Sequence, residues 1–241
     1  MAAKRNRLDE SSAELTFGQQ VLSYNRWLLK SRPKLPDEVE LLNPFKSEEV
    51  WRVNEIFYHR FYNDSNKRIL LFGINPGRLG AGLTGIPFTD PTNLEMHAGI
   101  PNPLNKKPEL SSDFIYRMII AMGGTEVFFR HFFMTAVCPL GFVKNGINMN
   151  YYDDKALVNS VEPFIIRSIK RQLDFGCRRD VAFVIGEGKN MDLFSRWNDR
   201  YSFFSSLVAL PHPRFVMQYR RKQLSKYVEL YRSNLQAYMS G

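Results

Sequence analysis

The chain is poor in the residues that hold metals and clusters: among 241 residues there are 2 cysteines and 4 histidines. Cys138 and Cys177 stand alone, with no Cys-x-x-Cys or His-Glu-x-x-His spacing, which excludes the usual tetrahedral zinc arrangements and four-thiolate iron–sulfur centres. Both read as buried free thiols. Long hydrophobic runs are missing too. "MIIAMGG" and "VAFVIG" fall far short of the roughly 20 apolar residues that a membrane span needs. The opening "MAAKRNRLDESS" is charged where a signal peptide would be apolar. No repeat, linker or low-complexity tract is visible. These absences point to a soluble, intracellular protein. Acidic residues are in deficit, 24 Asp and Glu against 33 Lys and Arg, for a formal charge of +9. An excess of cations suits phosphate neutralisation and raises nucleic acid as a partner, although basic proteins are common enough that charge alone does not decide it.

What is present is core material: 44% of residues are hydrophobic and 14% aromatic, enough for one large domain over 1–241. Residues 13–30 carry Leu15, Val21, Leu22, Leu28 and Leu29 at near-helical spacing, with Ser11 and Glu14 as a candidate capping box. The pattern returns over 48–62 with Val50, Trp51, Val53, Phe57 and Phe61. A helical region, 1–65, is therefore expected to pack on the remainder, its two helices joined by the proline-punctuated "SRPKLPDEVELLNPF". Beyond it, strand candidates at 68–73, 132–140, 181–186 and 204–213 alternate with helices near 113–122, 152–174, 189–197 and 218–238. The strands are continuous runs of Val, Leu, Ile and Phe, as in a sheet covered on both faces. The expected fold is a three-layer α/β/α sandwich around a central, mostly parallel four-stranded sheet. Ligands of such sheets bind beyond the carboxyl ends of the strands, where this chain places "INPGRLGAGLTG", "CPLGFVKNG", "GEGKN" and "HPRFVMQYR".

The first of these segments contains Gly80-x-Gly82-x-x-Gly85, the bare form of a dinucleotide fingerprint. A working fingerprint begins directly after a strand and opens a helix at its third glycine. Here "INPGRL" intervenes, and Ile86-Pro87 follow the third glycine, so a nucleotide-dependent enzyme is disfavoured. The loop instead places Asn75 beside the strand end, ahead of a Pro76-Gly77 turn. Asn75 is either an Asx-turn residue or a functional amide. His212, between Pro211 and Pro213, is either a structural histidine or an imidazole held by a stiff loop without a helix. The cations after it, Arg214, Arg220, Arg221 and Lys222, are interleaved with Phe215, Val216, Met217 and Tyr219. That mixture fits a solvated helix face or contact with DNA.

Taken together, these segments carry a resemblance. "GINPGRLGAGLTGIPF", Gly73 to Phe88, resembles without a gap the first motif of the single-strand-selective monofunctional uracil-DNA glycosylases, G-[ML]-N-P-G-x-x-G-x-x-x-T-G-V-P-F. His212-Pro213 is similar to the start of that family's second motif, and "EVFFRHFFMTAVCPLGF" (126–142) to its "EVFFHHCFVHNLCPLLF". The resemblance runs from about Ile69 to about Tyr219. It implies a uracil-DNA glycosylase-like fold and a monofunctional glycosylase of base excision repair that acts on deaminated bases in single- or double-stranded DNA. In that reading Asn75 positions a water and His212 hydrogen-bonds the departing base at O2. Phe88 stacks on the flipped base, with Ile74 and Gly77 beside it. Arg214, Arg220 and Arg221 lie on or near phosphates, with Lys222 also in the DNA-binding segment, and Phe215 or Met217 fills the gap left by the flipped nucleotide as a wedge. No lysine stands in either motif as a Schiff-base nucleophile, and no metal or organic cofactor is implied. The expected protein is a monomer of a distinct bacterial branch, cytoplasmic and nucleoid-associated, or nuclear if eukaryotic. Three departures stand out. The wedge lacks the family's further prolines and serine, Thr135 replaces a histidine, and Ala136 replaces the asparagine that reads the uracil edge. Loss of that asparagine implies a wider base range, with hypoxanthine and xanthine accepted. A DNA- or lesion-binding protein that keeps the fold without catalysis is the alternative.

Overall fold

The structure, a computed structural model, describes residues 15–239. The candidate cap at Ser11 and Glu14 lies outside them. The first helix, α1 (Phe17–Lys30), is capped instead by Thr16, whose hydroxyl accepts from Gln19 N while the Gln19 side chain accepts from Thr16 N. The second, α2 (Glu48–Phe61), begins at Ser47 with two glutamates in its first turn, where the helix dipole favours them. Between the two helices lies a strand that the prolines concealed, β1 (Val39–Leu42).

The central sheet is built from β2 (Arg68–Gly73), β3 (Phe132–Ala136), β6 (Cys177–Ile185) and β7 (Ser206–Leu210), in the order β3-β2-β6-β7 with every pair parallel. A second sheet pairs β1 with β4 (Gly141–Lys144), and β4 with β5 (Ile147–Met149), all antiparallel. The second strand candidate of the sequence, 132–140, is therefore two objects. Val137 N and Cys138 N still bond Gly73 O and Ile74 O, but Pro139 has no N–H to continue the ladder and the chain turns into the β4–β5 hairpin.

Helices cover both faces of the parallel sheet. Those after β2 are α3 (Ala81–Thr84), α4 (Pro91–Met96), α5 (Leu110–Ala121) and α6 (Thr125–His131); the later ones are α7 (Lys155–Leu173), α8 (Lys189–Tyr201), α9 (Pro213–Tyr219) and α10 (Leu224–Gln236). Phe72 of β2 packs on Phe194 of α8, while Phe183 of β6 meets Tyr238 beyond α10 on the opposite face. Every residue of β2 is buried, which explains why it reads as "RILLFG" without alternation. Both cysteines are buried and free, and burial raises the Cys138 thiol to about 12 and that of Cys177 to about 11. No helix among the described residues is long and apolar enough to cross a membrane.

One buried charge ties the helical N-terminal region to the sheet. Arg68, fully buried at the start of β2, donates to Phe129 O, Asn66 O and Phe61 O and pairs with Asp64 at 2.8 Å. Its guanidinium lies 4.8 Å from the Phe17 ring centroid and 4.7 Å from that of Tyr62. Truncation to alanine empties that volume and leaves three carbonyls without their donor, so Arg68→Ala should lower the urea-unfolding free energy by at least about 3 kcal/mol.

Candidate active site

The loops beyond the four parallel strand ends enclose one cleft of about 1330 Å³. Ile74, Asn75, Gly77, Phe88, Ala136 and His212 all line it, as do Arg214 and Phe215 at its rim. The motif-1 segment wraps the end of β2 by close backbone contact. A β-carbon at Gly82 would lie 2.0 Å from Gly77 O, and one at Gly73 would lie 2.6 Å from two carbons of the Phe88 ring. The glycines thus serve chain-on-chain packing rather than a pyrophosphate. Phe88 itself sits at φ 56°, a left-handed conformation that is strained for a bulky residue. The turn is held by Thr84 Oγ1, which donates to Thr89 O at 2.6 Å, and by the Thr89–Tyr116 hydroxyl contact.

Asn75 is not an Asx-turn residue. Its Oδ1 accepts from Tyr151 N at 2.9 Å and its Nδ2 donates to Met149 O at 3.0 Å, so the carboxamide pairs like a peptide with the chain where β5 ends. The amide is pinned in one orientation, and one lone pair of Oδ1 is left to accept from a water. A carboxamide has no basicity to deprotonate a water, so what it can do to one is position it.

His212 departs from expectation in one respect: a helix does follow it. The residue is the N-cap of α9, with Pro213 in the first helical position, and its Nδ1 accepts from Arg214 N at 3.2 Å. The acceptor role of Nδ1 places the ring proton on Nε2. Burial, then the Arg214 charge, lowers the imidazole to about 4, so near neutrality His212 is an uncharged donor. Its ring centroid stands 6.5 Å from that of Phe88, the planes inclined by 46°. Gly186, after β6, adjoins the imidazole: a β-carbon there would lie 3.9 Å from His212 Cδ2, at ordinary contact distance.

Helix α9 also sorts the wedge candidates. Its period turns Val216 and Met217 into the core, Met217 being 3% exposed, and leaves Phe215 41% exposed. Met217 is therefore a packing residue, not a wedge. Arg214, Arg220, Arg221 and Lys222 are all exposed, and Arg220 stacks on Phe215 at 5.3 Å beside Tyr219. Arg220, Arg221 and Lys222 lie outside the cleft lining, on the turn between α9 and α10. Sequence reasoning passed over Tyr151 and Asn190. Tyr151 donates its hydroxyl to Asn190 Oδ1 at 2.9 Å, and Asn190 Nδ2 donates to Ile185 O, tying the Asn75 clamp to the end of β6. The buried asparagine in "GEGKN" was the available signal.

Comparison with known proteins bears on this geometry. The model of the uracil DNA glycosylase superfamily matches residues 59–236. The single-strand selective monofunctional uracil DNA glycosylase of Bos taurus is 28% identical over 110 residues, 39% of this chain and 40% of that protein. Its Mus musculus counterpart is 27% identical over 131 residues, 47% of this chain and 46% of that protein. Each match thus spans under half of the curated relative. The crystal structure of Pedobacter heparinus SMUG2 superposes with a TM-score of 0.91 at 43% identity, covering 95% of this chain and all of that one.

In an NMR titration His212 should remain neutral, with its proton on Nε2, until the pH approaches about 4. The sign for stability follows from linkage. The unfolded chain takes up this proton near the ordinary value of 6.5 and the folded chain does not, so this contribution to stability is present above 6.5 and is lost as the pH falls toward 4. An imidazole titrating at 6 or above removes the neutral-donor assignment.

Proposed function

The chain belongs to the uracil DNA glycosylase superfamily, as a SMUG-like member, and from that premise we propose that it is a monofunctional DNA glycosylase. It hydrolyses the N-glycosidic bond of uracil, and of other deaminated bases such as hypoxanthine and xanthine, and leaves an abasic site. The observation that supports this reading best is the pairing, in one cleft, of a pinned amide acceptor with a neutral imidazole donor.

Cleavage of a deoxyribosyl bond passes through an oxocarbenium-like state. As the C1′–N bond lengthens, its electron pair moves onto the departing base while positive charge grows at C1′. Asn75 Oδ1 holds a water against the sugar. The water oxygen bonds C1′, its proton passes to solvent, and the base leaves as an anion that is protonated in turn. His212 Nε2–H donates to the base O2, a bond that strengthens as charge arrives there; one such donor is typically worth about 2.7–4 kcal/mol. Being uncharged, it rewards the transition state more than the resting carbonyl. Phe88 supplies the face on which the extruded base lies. At the rim, Arg214, Arg220, Arg221 and Lys222 meet phosphates, and Phe215, in place of Met217, enters the gap left in the base stack.

Asn75→Ala should slow single-turnover base release from uracil-containing oligonucleotides by at least about 10² with DNA affinity nearly unchanged, because positioning acts on the transition state. An equal loss of binding and chemistry would return Asn75 to the role of a structural clamp. Ala136 gives a second test. Its methyl group offers no hydrogen bond at the place where the family reads uracil, and it leaves room for purines. Ala136→Asn should therefore raise the ratio of uracil to hypoxanthine release, by about tenfold or more. An unchanged ratio would show that Ala136 does not face the base.

A further inference from the structure

The cleft does not end at Ala136. It continues past the edge strand β3 to α1, where Tyr24 and Asn25 line it together with Tyr58 of α2. Asn25 is only 3% exposed, yet its carboxamide is committed at one corner: Nδ2 donates to Asn54 Oδ1 at 3.2 Å. Asn54, fully buried, has no freedom to turn over. Its Nδ2 donates to Val50 O and to Thr84 O, both at 2.7 Å, so both amide protons are used and its oxygen must be the acceptor. Asn25 must therefore hold Nδ2 toward Asn54. Its second Nδ2 proton lies against the Tyr58 hydroxyl, a partner that a bound base would have to share, and Oδ1 stands beside it in a fixed order. Thr84 also holds the turn that carries Phe88, so the orientation of Asn25 and the stacking ring hang on one loop.

We propose that Asn25, brought by the N-terminal helix to the cleft beyond Ala136, reads the edge of the extruded base. This deepens the glycosylase reading and rests on it. Deamination of cytosine or adenine turns an amidine edge, ring nitrogen acceptor beside amino donor, into a lactam edge, N–H donor beside carbonyl acceptor. Uracil presents that edge at N3 and O4 and hypoxanthine at N1 and O6, while xanthine keeps at N1 and O6 the lactam that guanine already has. An asparagine locked as donor-then-acceptor pairs with all three, the base N–H donating to Oδ1 and Nδ2–H donating to the carbonyl. It meets cytosine or adenine donor against donor and acceptor against acceptor. The recognised chemistry is the lactam itself, and the absent side chain at Ala136 sets the width. Asn25 lies ahead of the 59–236 stretch that carries the family match.

The test is single-turnover release from oligonucleotides bearing uracil, N3-methyluracil or cytosine, with unfolding midpoints measured alongside. In the wild-type chain, blocking the lactam N–H with a methyl group should slow release by at least about 10². In Asn25→Ala, uracil release should fall by about 10–10² and the methyl penalty should shrink below about tenfold. Asn25→Ser serves in its place if the alanine variant does not fold. Asn54→Ala frees the Asn25 amide to turn over without removing it, and should raise cytosine release relative to uracil by about tenfold or more. An undiminished methyl penalty in the Asn25 variants overturns the proposal, as does an unchanged cytosine-to-uracil ratio in Asn54→Ala. A wild-type chain that releases no base from any deaminated oligonucleotide overturns the glycosylase reading and this one together.

Discussion

The cleft depends on one close approach, the ring of Phe88 lying where a β-carbon of Gly73 would otherwise stand. A side chain at the end of β2 would push the ring out by more than an ångström, and the left-handed backbone at Phe88 would lose the contact that holds it. The same packing draws Pro76 O to within 2.3 Å of where a β-carbon at Gly141 would be, so the start of β4 and the motif-1 turn are fitted to each other without side chains between them. Asn75 then bridges to Met149 and Tyr151 on the far side of the hairpin. Around the end of β2 the site is a set of backbones brought to contact distance, with Asn75, Phe88 and His212 among the side chains that line the cleft. A one-carbon addition at Gly73, Gly82 or Gly141 would therefore act on the geometry of the cleft as well as on stability.

The parts legible in the sequence are those where local pattern and tertiary environment agree. β2 and the second half of β6 read as strands because they are buried on both faces, and the cleft was placed at their carboxyl ends by the topology of parallel sheets alone. Asn75, Phe88 and His212 were legible through motif spacing, and they do converge. The short elements were not legible. β1 has four residues among prolines, and α3 has four among glycines, too few for any period to show. The β4–β5 hairpin did carry a signal: Asn145-Gly146, both at positive φ, are the residues of a tight two-residue turn. Met217 failed for a different reason. Its neighbours in sequence are cations, but a helix opening at Pro213 turns every third or fourth residue inward, and composition has no phase. Asn25 was invisible because a lone asparagine in an amphipathic helix looks like any polar interruption until Asn54 and Thr84 are seen beside it.

Charge and chemistry are kept apart in this molecule. The chain carries +9 overall, yet the group at the heart of the cleft is held neutral by burial and by the arginine two residues on. The exposed cations sit at the rim and on the turn after α9, where they attract a polyanion from a distance and are screened by salt. A cationic imidazole inside would add to that attraction indiscriminately and would bind a phosphate or a carboxylate in the cleft as readily as a departing base. A neutral N–H and a pinned amide hold such anions weakly. What they favour is charge that arises in place, on an atom already at hydrogen-bond distance, and the base of a breaking glycosidic bond is where such charge arises. Arg214 serves both sides of this division: its side chain belongs to the rim, its charge helps keep the imidazole unprotonated, and its backbone N–H fixes the tautomer. Substitution of its side chain would leave the backbone donor in place, so the rim can change without disturbing which nitrogen of His212 carries the proton.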